Sequence, residues 1–588
     1  MFFCIVGLSA CGDGGNSADT AAESATMASD AGAVPAPATP DNNAAFFRCP
    51  TASAYSEAAP PPALAGTVSG RVSFDRVPFS DQLGAGLDYA DQASQPARGV
   101  IVEAQASSDG LSCDGAVVAT TVTDGDGWYR LSPPAGIANV CVRARAQLYR
   151  AADSLSAASW NIAVADNTAG NALYTLAEIS PASIAEHPRR DLHAASGWSG
   201  GSYTGTRAAA PFAILDTACK TLDAVLAQRN STQFGALTFF WSTKNTSDDN
   251  GSLQQGKIGG AFFDSSTSAI YLRGDAAVNT DEFDEMVIAH EFGHFVTHVL
   301  SRSDTLGGYH SLLDYEDPRL AFDEGWATAF AGLALNDPIY RDSDEVATAS
   351  SPELEFHFDI RQRFDSSVVP VGWYSESSMQ RLLYTLGADT ASGGSGLGLG
   401  ALLATFSGGY KRSDALASIF SYGTQLLNDQ PAYASAIVSA LDLEQINGAA
   451  ITAFAADEQH APSSSDLPVY TTLAADAGAQ SVCSSNIYGT ENALSDRRYL
   501  RFEPPHTGRY QFSVKPVSGG VAGFELLDRG TAVVSVDEST AGETLQVTSG
   551  TLEAGRSYVL SVFHVGNVVA DTAVAAGDQC FQVWTRTL

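Results

Sequence analysis

Two histidines four residues apart lie inside a largely apolar stretch, residues 286–300, and this stretch constrains the fold more than any other part of the chain. Its apolar spacing predicts a helix, and residues i and i+4 share one helix face. The imidazoles of His290 and His294 can therefore reach one cation. Glu291 points about 100° away around the helix, where it can face a metal-bound water without being a ligand. The spacing predicts a metal site, while two ordinary buried histidines are the alternative.

The residues around the two histidines indicate how the helix begins and packs. Its apolar stripe consists of Ile288, Phe292, Phe295 and Val299. Asn279 or Thr280 is predicted to cap its start. His298 also lies four residues after His294, but no Glu lies between them in the corresponding place. We predict His298 beside the ligands or at the surface.

A catalytic zinc needs a third protein ligand, and the next predicted helix supplies a candidate. The segment DPRLAFDEGWATAFAG has Asp317 at the cap position and a proline at the first helical position. Glu324 lies within this apolar run, where a carboxylate must be paired or bind a metal. Asp323 is its competitor. The preceding acids are predicted to be solvated in a polar loop: Asp304, Asp314, Glu316 and Asp317.

The segments HEFGH, residues 290–294, and EGWA, residues 324–327, together resemble the gluzincins. This class of zinc metallopeptidases contains thermolysin-like and alanyl-aminopeptidase-like enzymes. The resemblance covers residues 177–462 and implies a two-lobed, thermolysin-like α+β zincin domain acting on a peptide or protein. It implies one zinc per chain, bound by His290, His294 and Glu324, with Glu291 as the general base.

The resemblance also implies where the substrate lies. Gluzincins place the substrate backbone along an edge strand, and the matching segment here contains Gly260, Ala261 and Phe262. Aminopeptidases of the class carry Gly-x-Met-Glu-Asn there, and its Glu binds the free amine of the substrate. This chain lacks the Met-Glu pair, which favours an endopeptidase. Asp264 could replace the missing Glu, so an aminopeptidase remains an alternative.

Gluzincins stabilise the oxyanion with a Tyr or His from the helical lobe. Tyr374, Tyr384 and His310 are the candidates, and Tyr374 is favoured because it adjoins a predicted helix start. The alternative for each is a packing aromatic ring or a surface histidine.

Alternating apolar runs bounded by turns predict an all-β region on each side of the motif domain. Residues 63–176 resemble a transthyretin-like or carboxypeptidase-regulatory-like β-sandwich. Residues 463–588 resemble the pre-peptidase-like β-sandwich appended to many secreted bacterial peptidases. The predicted architecture is multidomain: a zincin catalytic domain flanked by two all-β sandwich domains. The DGDG segment at 124–127 is predicted to be a hairpin turn, because a calcium loop needs a more distant Glu.

The N-terminus resembles a bacterial lipoprotein signal over residues 1–10. The segment LSAC resembles a lipobox in which Cys11 is lipidated. Residues 11–62 are rich in Ala, Asp, Ser and Pro and are predicted to form a disordered tether. We expect an outer-membrane lipoprotein that faces the periplasm or the surface. Secretion after a plain signal peptide is the alternative.

The net charge and the cysteines indicate which binding partners and which cellular compartment to expect. The net charge of -34 opposes binding to phosphate, so nucleic-acid binding is not expected. A monomer is expected. Six cysteines beyond the signal region suggest an oxidising compartment. We pair Cys113 with Cys141 and Cys483 with Cys580, which leaves Cys49 with Cys219.

Two further functions remain open. The chain could be a surface binding protein or adhesin with a catalytically weak zincin-like domain, or a zinc hydrolase that acts on surface glycans. The intact Glu291 argues against the first, since a degenerate site commonly loses its base.

Overall fold

The computed structural model describes residues 34–40, 64–107, 110–152, 157–178, 180–277, 279–345, 354–536, 541–569 and 577–588. Contacts divide the chain into two compact units. Of the described residues, the first unit contains 34–295 together with 334–359, and the second contains 296–333 together with 360–588. Several β-sheets form most of the fold, and helices form a smaller part. Within the described ranges, no helix is long and apolar enough to cross a membrane.

The first unit is dominated by strands. They are β1 (Val68–Arg76), β2 (Ala93–Pro96), β3 (Val100–Ala106), β4 (Val117–Val122), β5 (Trp128–Leu131), β6 (Asn139–Arg150), β7 (Ser159–Asp166), β8 (Ala172–Leu173), β9 (Thr175–Ala177), β10 (Ala182–Ser183), β11 (Leu192–Ala194), β12 (Trp198–Ser199), β13 (Ser202–Tyr203), β14 (Gln233–Trp241), β15 (Phe262–Asp264), β16 (Ala269–Leu272), β17 (Ile339–Glu345) and β18 (Leu354–Asp359). A smaller sheet has the order β11-β1-β2, and β5 also pairs with β1.

One large sheet crosses the domain boundary predicted at residue 176. Its main path has the order β15-β16-β14-β7-β6-β3-β4, and β14 pairs in parallel with both β7 and β16. Residues 162–165 of β7 are buried in succession, as expected for a central strand covered on both faces. The region 63–176 is therefore not a self-contained sandwich, because its sheet continues into the region that carries the histidines.

The turn at 124–127 is a hairpin turn, as predicted. The Asp124 carboxylate accepts hydrogen bonds from the backbone N–H groups of Asp126, at 3.0 Å, and Trp128, at 2.8 Å. These bonds close the turn that leads into β5.

Helix α1 (Ala210–Gln228) packs against β6 and β7, and helix α2 (Glu285–Leu300) carries the two histidines. Phe292 and Phe295, from the predicted apolar stripe, contact Phe234 of β14, with ring centroids 6.4 and 6.1 Å away. Phe295 also lies 6.0 Å from Phe263 of β15. The stripe thus anchors the N-terminal part of α2 on the large sheet.

The predicted cap of α2 is wrong. The helix begins at Glu285, after a separate 3-10 turn, Asp281–Phe283. Thr280 precedes that turn, and among the described residues its side chain makes no capping bond. The intervening Asp284 directs its carboxylate to the backbone N–H and hydroxyl of Ser343 on β17. The extra turn separates the predicted cap residues from the helix.

The helices after α2 follow the predicted segments. They are α3 (Pro318–Leu335), α4 (Glu376–Gly387), α5 (Leu399–Ser407), α6 (Ile419–Asp429) and α7 (Ala434–Leu443). Helix α3 begins as predicted, since the Asp317 carboxylate accepts from the backbone N–H of Arg319 at 3.0 Å. The hairpin of β17 and β18 was not predicted.

The C-terminal strands form two sheets with a common core. The strands are β19 (Tyr470–Leu473), β20 (Gln480–Ser484), β21 (Arg497–Phe502), β22 (Tyr510–Pro516), β23 (Ala522–Asp528), β24 (Thr531–Val536), β25 (Leu545–Thr548), β26 (Tyr558–His564) and β27 (Gln579–Thr587). The sheets have the orders β19-β21-β26-β23-β24 and β20-β27-β22-β25. Phe502 of one sheet contacts Phe512 of the other within that core, with ring centroids 5.1 Å apart. This is a two-layer β-sandwich.

The C-terminal sandwich also supports the segment that leads into α3. The Tyr499 hydroxyl donates to the Asp317 carboxylate. The Asn492 amide donates to the backbone carbonyls of Gly307 and Tyr309, at 2.8 Å each. This region is therefore more than a loosely attached accessory domain, because it fixes the chain on both sides of His310.

The prediction that the acids before α3 are solvated is wrong for three of the four. Glu316 and Asp317 are buried, and only 3% of the Asp304 side chain is exposed. Burial alone would raise the pKa of Asp317, but Arg319 lowers it below its ordinary value. Burial raises the pKa of Asp304. Asp314 is half-buried and accepts from Ser311.

Two disulfides confirm predicted pairs, Cys113–Cys141 and Cys483–Cys580. Cys219 is also disulfide-bonded, whereas Cys49 lies outside the described residues. The lipidation site predicted at Cys11 lies outside them as well.

Part of the predicted disordered tether is ordered. Residues 34–40 lie along the large sheet, where Asn161 of β7 donates to the carbonyl of Val34 at 3.0 Å. Gln147 of β6 donates to the carbonyl of Pro35 at 3.3 Å. Val34 packs beside Phe240 and Tyr271, so this short segment contacts the apolar core of the large sheet.

Candidate metal centre

The two imidazoles of α2 converge at a distance that suits a shared metal. His290 and His294 are both buried, and their Nε2 atoms lie 3.3 Å apart. Two nitrogen ligands at 2.0–2.1 Å from a tetrahedral zinc are separated by about 3.3 Å. The pair therefore needs no rearrangement of its rings to share such an ion. Glu291, next to His290 on the helix, is fully buried.

Glu324, the predicted third ligand, lies on α3 in the second unit and is buried, as its apolar neighbours predicted. Two histidine nitrogens and one carboxylate oxygen form a donor set typical of catalytic zinc, which keeps its fourth position open. Asp323, the competing acid, belongs to no group of potential ligands among the residues that the structure describes. The chemistry of these side chains fits a metal ion.

Within the second unit, Glu324 forms a group of potential ligands with His310 and Glu376, which lie far apart in sequence. His310 Nε2 lies 3.5 Å from Glu324 Oε2, and His310 Nδ1 lies 2.8 Å from Glu376 Oε2. All three side chains are buried, and their ligand atoms lie within 4.8 Å of one another. Sequence reasoning considered His310 but missed Glu376, which lies at the start of α4. The one indication of Glu376 in the sequence was its position as an acidic residue in the first turn of a predicted helix.

A further buried acid lies beside this group. Burial, reinforced by the neighbouring Glu376 and Glu324, raises the pKa of Glu316 well above its ordinary value. In the described part of the chain, neither carboxylate oxygen of Glu316 has a hydrogen-bond partner. Glu316 and His310 also line a cavity of about 340 Å³. The surroundings of His310 are thus strongly acidic.

The three oxyanion candidates differ in their contacts. The Tyr374 hydroxyl donates to the carbonyl of Val371 at 2.9 Å, and burial raises the pKa of this phenol. Tyr384 is buried on α4. His310 is the candidate that contacts Glu324. The role predicted for Tyr374 stays a prediction, but its single hydroxyl proton is directed at a backbone carbonyl.

The predicted substrate segment lies at a sheet edge. β15 is the terminal strand of the large sheet, and Gly260 and Ala261 immediately precede it. The Phe262 ring stacks on Tyr271 at 4.8 Å and is buried. The backbone of this segment, rather than its buried side chain, is therefore suited to pair with a peptide. Backbone pairing of this kind is how an extended peptide adds a strand to the edge of a sheet.

Asp264 takes part in the turn between β15 and β16. Its Oδ1 accepts from the backbone N–H and hydroxyl of Ser266, at 2.9 and 2.7 Å, and its Oδ2 accepts from the hydroxyl of Thr267 at 2.7 Å. These bonds close the turn. The suggestion that Asp264 replaces the missing Glu stays a prediction, but its carboxylate already serves the turn.

Comparisons with known proteins add little. No family model matches this chain, and no curated protein matches it. A pre-peptidase C-terminal domain of a collagenase from Bacillus anthracis is 14% identical, covering 20% of this chain and 93% of that chain at a TM-score of 0.15. The periplasmic lysozyme inhibitor PliG from Aeromonas hydrophila is 13% identical, covering 20% and 96% at a TM-score of 0.13. A β-glucosidase from Kluyveromyces marxianus is 18% identical, covering 16% and 10% at a TM-score of 0.12. Such TM-scores decide neither fold nor function.

Proposed function

We propose that this chain is a zinc-dependent metalloendopeptidase of the cell envelope, anchored through a lipid on Cys11. The observation that carries the proposal is the pair of buried Nε2 atoms 3.3 Å apart on α2, and the buried Glu324 on α3 is the proposed third ligand. The catalytic fold proposed is the two-lobed zincin type. The substrate proposed is a peptide or protein.

We propose a role for each of the metal-site side chains. His290, His294 and Glu324 hold the ion. When bound, zinc lowers the pKa of water to near 7 and polarises a carbonyl. Glu291 accepts a proton from the attacking water at its carboxylate and passes it to the leaving amine. The full burial of Glu291 supports this task, because it shields the carboxylate from bulk solvent.

We assign the oxyanion donor to His310 rather than Tyr374. Glu376 Oε2 lies 2.8 Å from His310 Nδ1, so it holds the ring in a fixed direction. The other ring nitrogen, Nε2, lies on the side of Glu324 and can donate a proton to developing negative charge. A carboxylate that holds a histidine in this way fixes both its tautomer and its direction.

His310→Phe is expected to lower kcat about 10²- to 10³-fold, the usual cost of one oxyanion donor, with zinc content unchanged. Tyr374→Phe removes only a hydroxyl bonded to Val371 and should stay within a few-fold of wild type. Both variants are compared by peptide-cleavage kinetics and zinc analysis. If Tyr374→Phe loses activity and His310→Phe keeps it, the donor is Tyr374. If His310→Phe loses zinc, His310 is a ligand.

An endopeptidase is preferred over an aminopeptidase because the segment before β15 lacks the Met-Glu pair, and Asp264, the acid suggested to replace it, closes the β15–β16 turn. β15 is the terminal strand of its sheet among the described residues, so its edge can pair with an extended peptide. Peptides with blocked amino termini should therefore be cleaved.

The proposed function is tested by cleavage of casein and of a blocked peptide library. The full chain is expressed behind a complete signal sequence, recovered from membranes and loaded with zinc. We expect internal cleavage that a chelator abolishes and added zinc restores, and Cys11→Ser should move the activity to the soluble fraction. Absence of cleavage by the zinc-loaded protein would favour a binding protein. Cleavage of glycans instead of peptides would favour a different hydrolase.

A further inference from the structure

Three carboxylates meet beside the start of α2, within the first unit and apart from the proposed zinc ligands. Asp281 and Asp284 lie just before the helix, and Asp342 comes from β17. Their ligand atoms lie within 4.8 Å of one another. Asp281 and Asp284 are fully buried, and the side chain of Asp342 is 13% exposed. One edge of the group can thus be reached by a small ion.

The charges of this group do not balance. Arg273 is the cation that contacts it among the described residues, with Nη2 3.1 Å from Asp281 and 3.6 Å from Asp342. The adjacent Glu282 is already paired with Arg207. When all three carboxylates are ionised, one guanidinium leaves two negative charges in a buried place, which is costly without a further cation. A single divalent ion would cancel them.

Unpartnered oxygens occur in the same short segment of the chain. In the described part of the structure, Asn279 Oδ1, Thr280 Oγ1 and Asp284 Oδ1 have no hydrogen-bond partner. Their residues are 4%, 1% and 0% exposed. The Asn279 Nδ2 donates to Asp342 Oδ1 at 3.4 Å, which places this amide against the group, and exchanging its nitrogen and oxygen would turn the oxygen toward Asp342. Buried polar atoms normally have partners, so these oxygens need an explanation.

We propose that Asp281, Asp284 and Asp342 bind one calcium ion, with neutral oxygens from Asn279 and Thr280 completing its shell. Calcium takes six to eight oxygen ligands at 2.3–2.6 Å. Oxygens on opposite sides of such an ion lie about 4.8 Å apart, so oxygens that lie within 4.8 Å of one another can share it. No histidine or cysteine belongs to the group, so its chemistry favours calcium over zinc.

The pKa values of these carboxylates in the absence of an ion agree with this proposal. Burial, reinforced by Asp342 and Asp281, raises the pKa of Asp284 well above its ordinary value. Burial also raises the pKa of Asp342 to about 6, despite the nearby Arg273. A calcium ion would offset this cost and keep all three groups ionised. It would also tie β17 to the start of the helix that carries His290.

The site is tested with terbium as a luminescent substitute for calcium in the zinc-loaded full chain. Trp241 can sensitise terbium there, because its Nε1 lies 3.3 Å from Glu282, the residue after Asp281. We expect luminescence on tryptophan excitation that calcium displaces. Asp342→Asn should remove most of it. Asp337→Asn removes the same charge from an exposed acid just before β17 and should leave it unchanged.

Thermal unfolding of the wild type provides a second measurement that needs no variant. Calcium at about 100 times its Kd should raise the Tm by about 5 °C or more, and magnesium should do less. A wild type with neither displaceable luminescence nor a calcium-dependent Tm overturns the proposal. Equal luminescence in Asp342→Asn and Asp337→Asn also overturns it, since the ion then binds elsewhere on this acidic chain. Neither result bears on zinc-dependent cleavage, so the two proposals can fail separately.

Discussion

Glu291→Gln should abolish peptide cleavage while the protein keeps its zinc and its fold. Gln has nearly the same size as Glu but cannot accept a proton, so the ligand histidines beside it are undisturbed. General-base catalysis contributes roughly 10²- to 10⁴-fold, and the loss should fall on kcat rather than KM. The measurement is steady-state kinetics on a cleaved peptide, with zinc analysis and circular dichroism on the same sample.

Glu285→Gln is a matched control for that variant. It neutralises an acid on the same helix, whose carboxylate pairs with Arg76 and Lys220. Burial alone would raise the pKa of Glu285, but these cations lower it to about 2 and stabilise its charged form, so we expect near-normal activity together with lower stability. Activity of Glu291→Gln within tenfold of the wild type would show that Glu291 is not the base.

The local pattern of the sequence predicted the elements that carry the site. Apolar spacing located α2, and Asp317 followed by a proline located the start of α3. Burial of Glu324 followed from its apolar neighbours. These inferences succeed because helix periodicity, capping and the cost of burying a carboxylate depend on residues close together in the chain.

Long-range pairing could not be predicted in the same way. The parallel contact of β7 with β14 joins segments separated by α1, and the short strands around it gave no sign of a shared sheet. The domain boundary at residue 176 was therefore placed within a single sheet. Strand alternation indicates which face is buried, but it does not identify the neighbouring strand.

Burial of polar residues by distant chain segments was also missed. Composition alone predicted solvated acids before α3, but Tyr499 and Asn492 of the C-terminal sandwich cover that segment. The contact of His310 with Glu376 joins residues 66 positions apart. Tyr374 was favoured for its position next to a helix start, and that position did not reveal that its hydroxyl bonds to Val371.

Glu324→Ala should lose its zinc on dialysis. The proposed site has three protein ligands, and two histidines with water hold zinc poorly. The wild type should retain about one zinc per chain, and Glu324→Ala should retain less than about a tenth of that. Metal content is measured by mass spectrometry, with circular dichroism to show that the variant is folded.

Two variants serve as controls in that measurement. Asp323→Ala removes the adjacent acid, which points about 100° away around α3. Asp314→Ala removes a half-buried acid from the preceding loop. Both should keep about one zinc per chain. A folded Glu324→Ala with full zinc, together with loss of zinc from Asp323→Ala or Asp314→Ala, would contradict the account at its central residue.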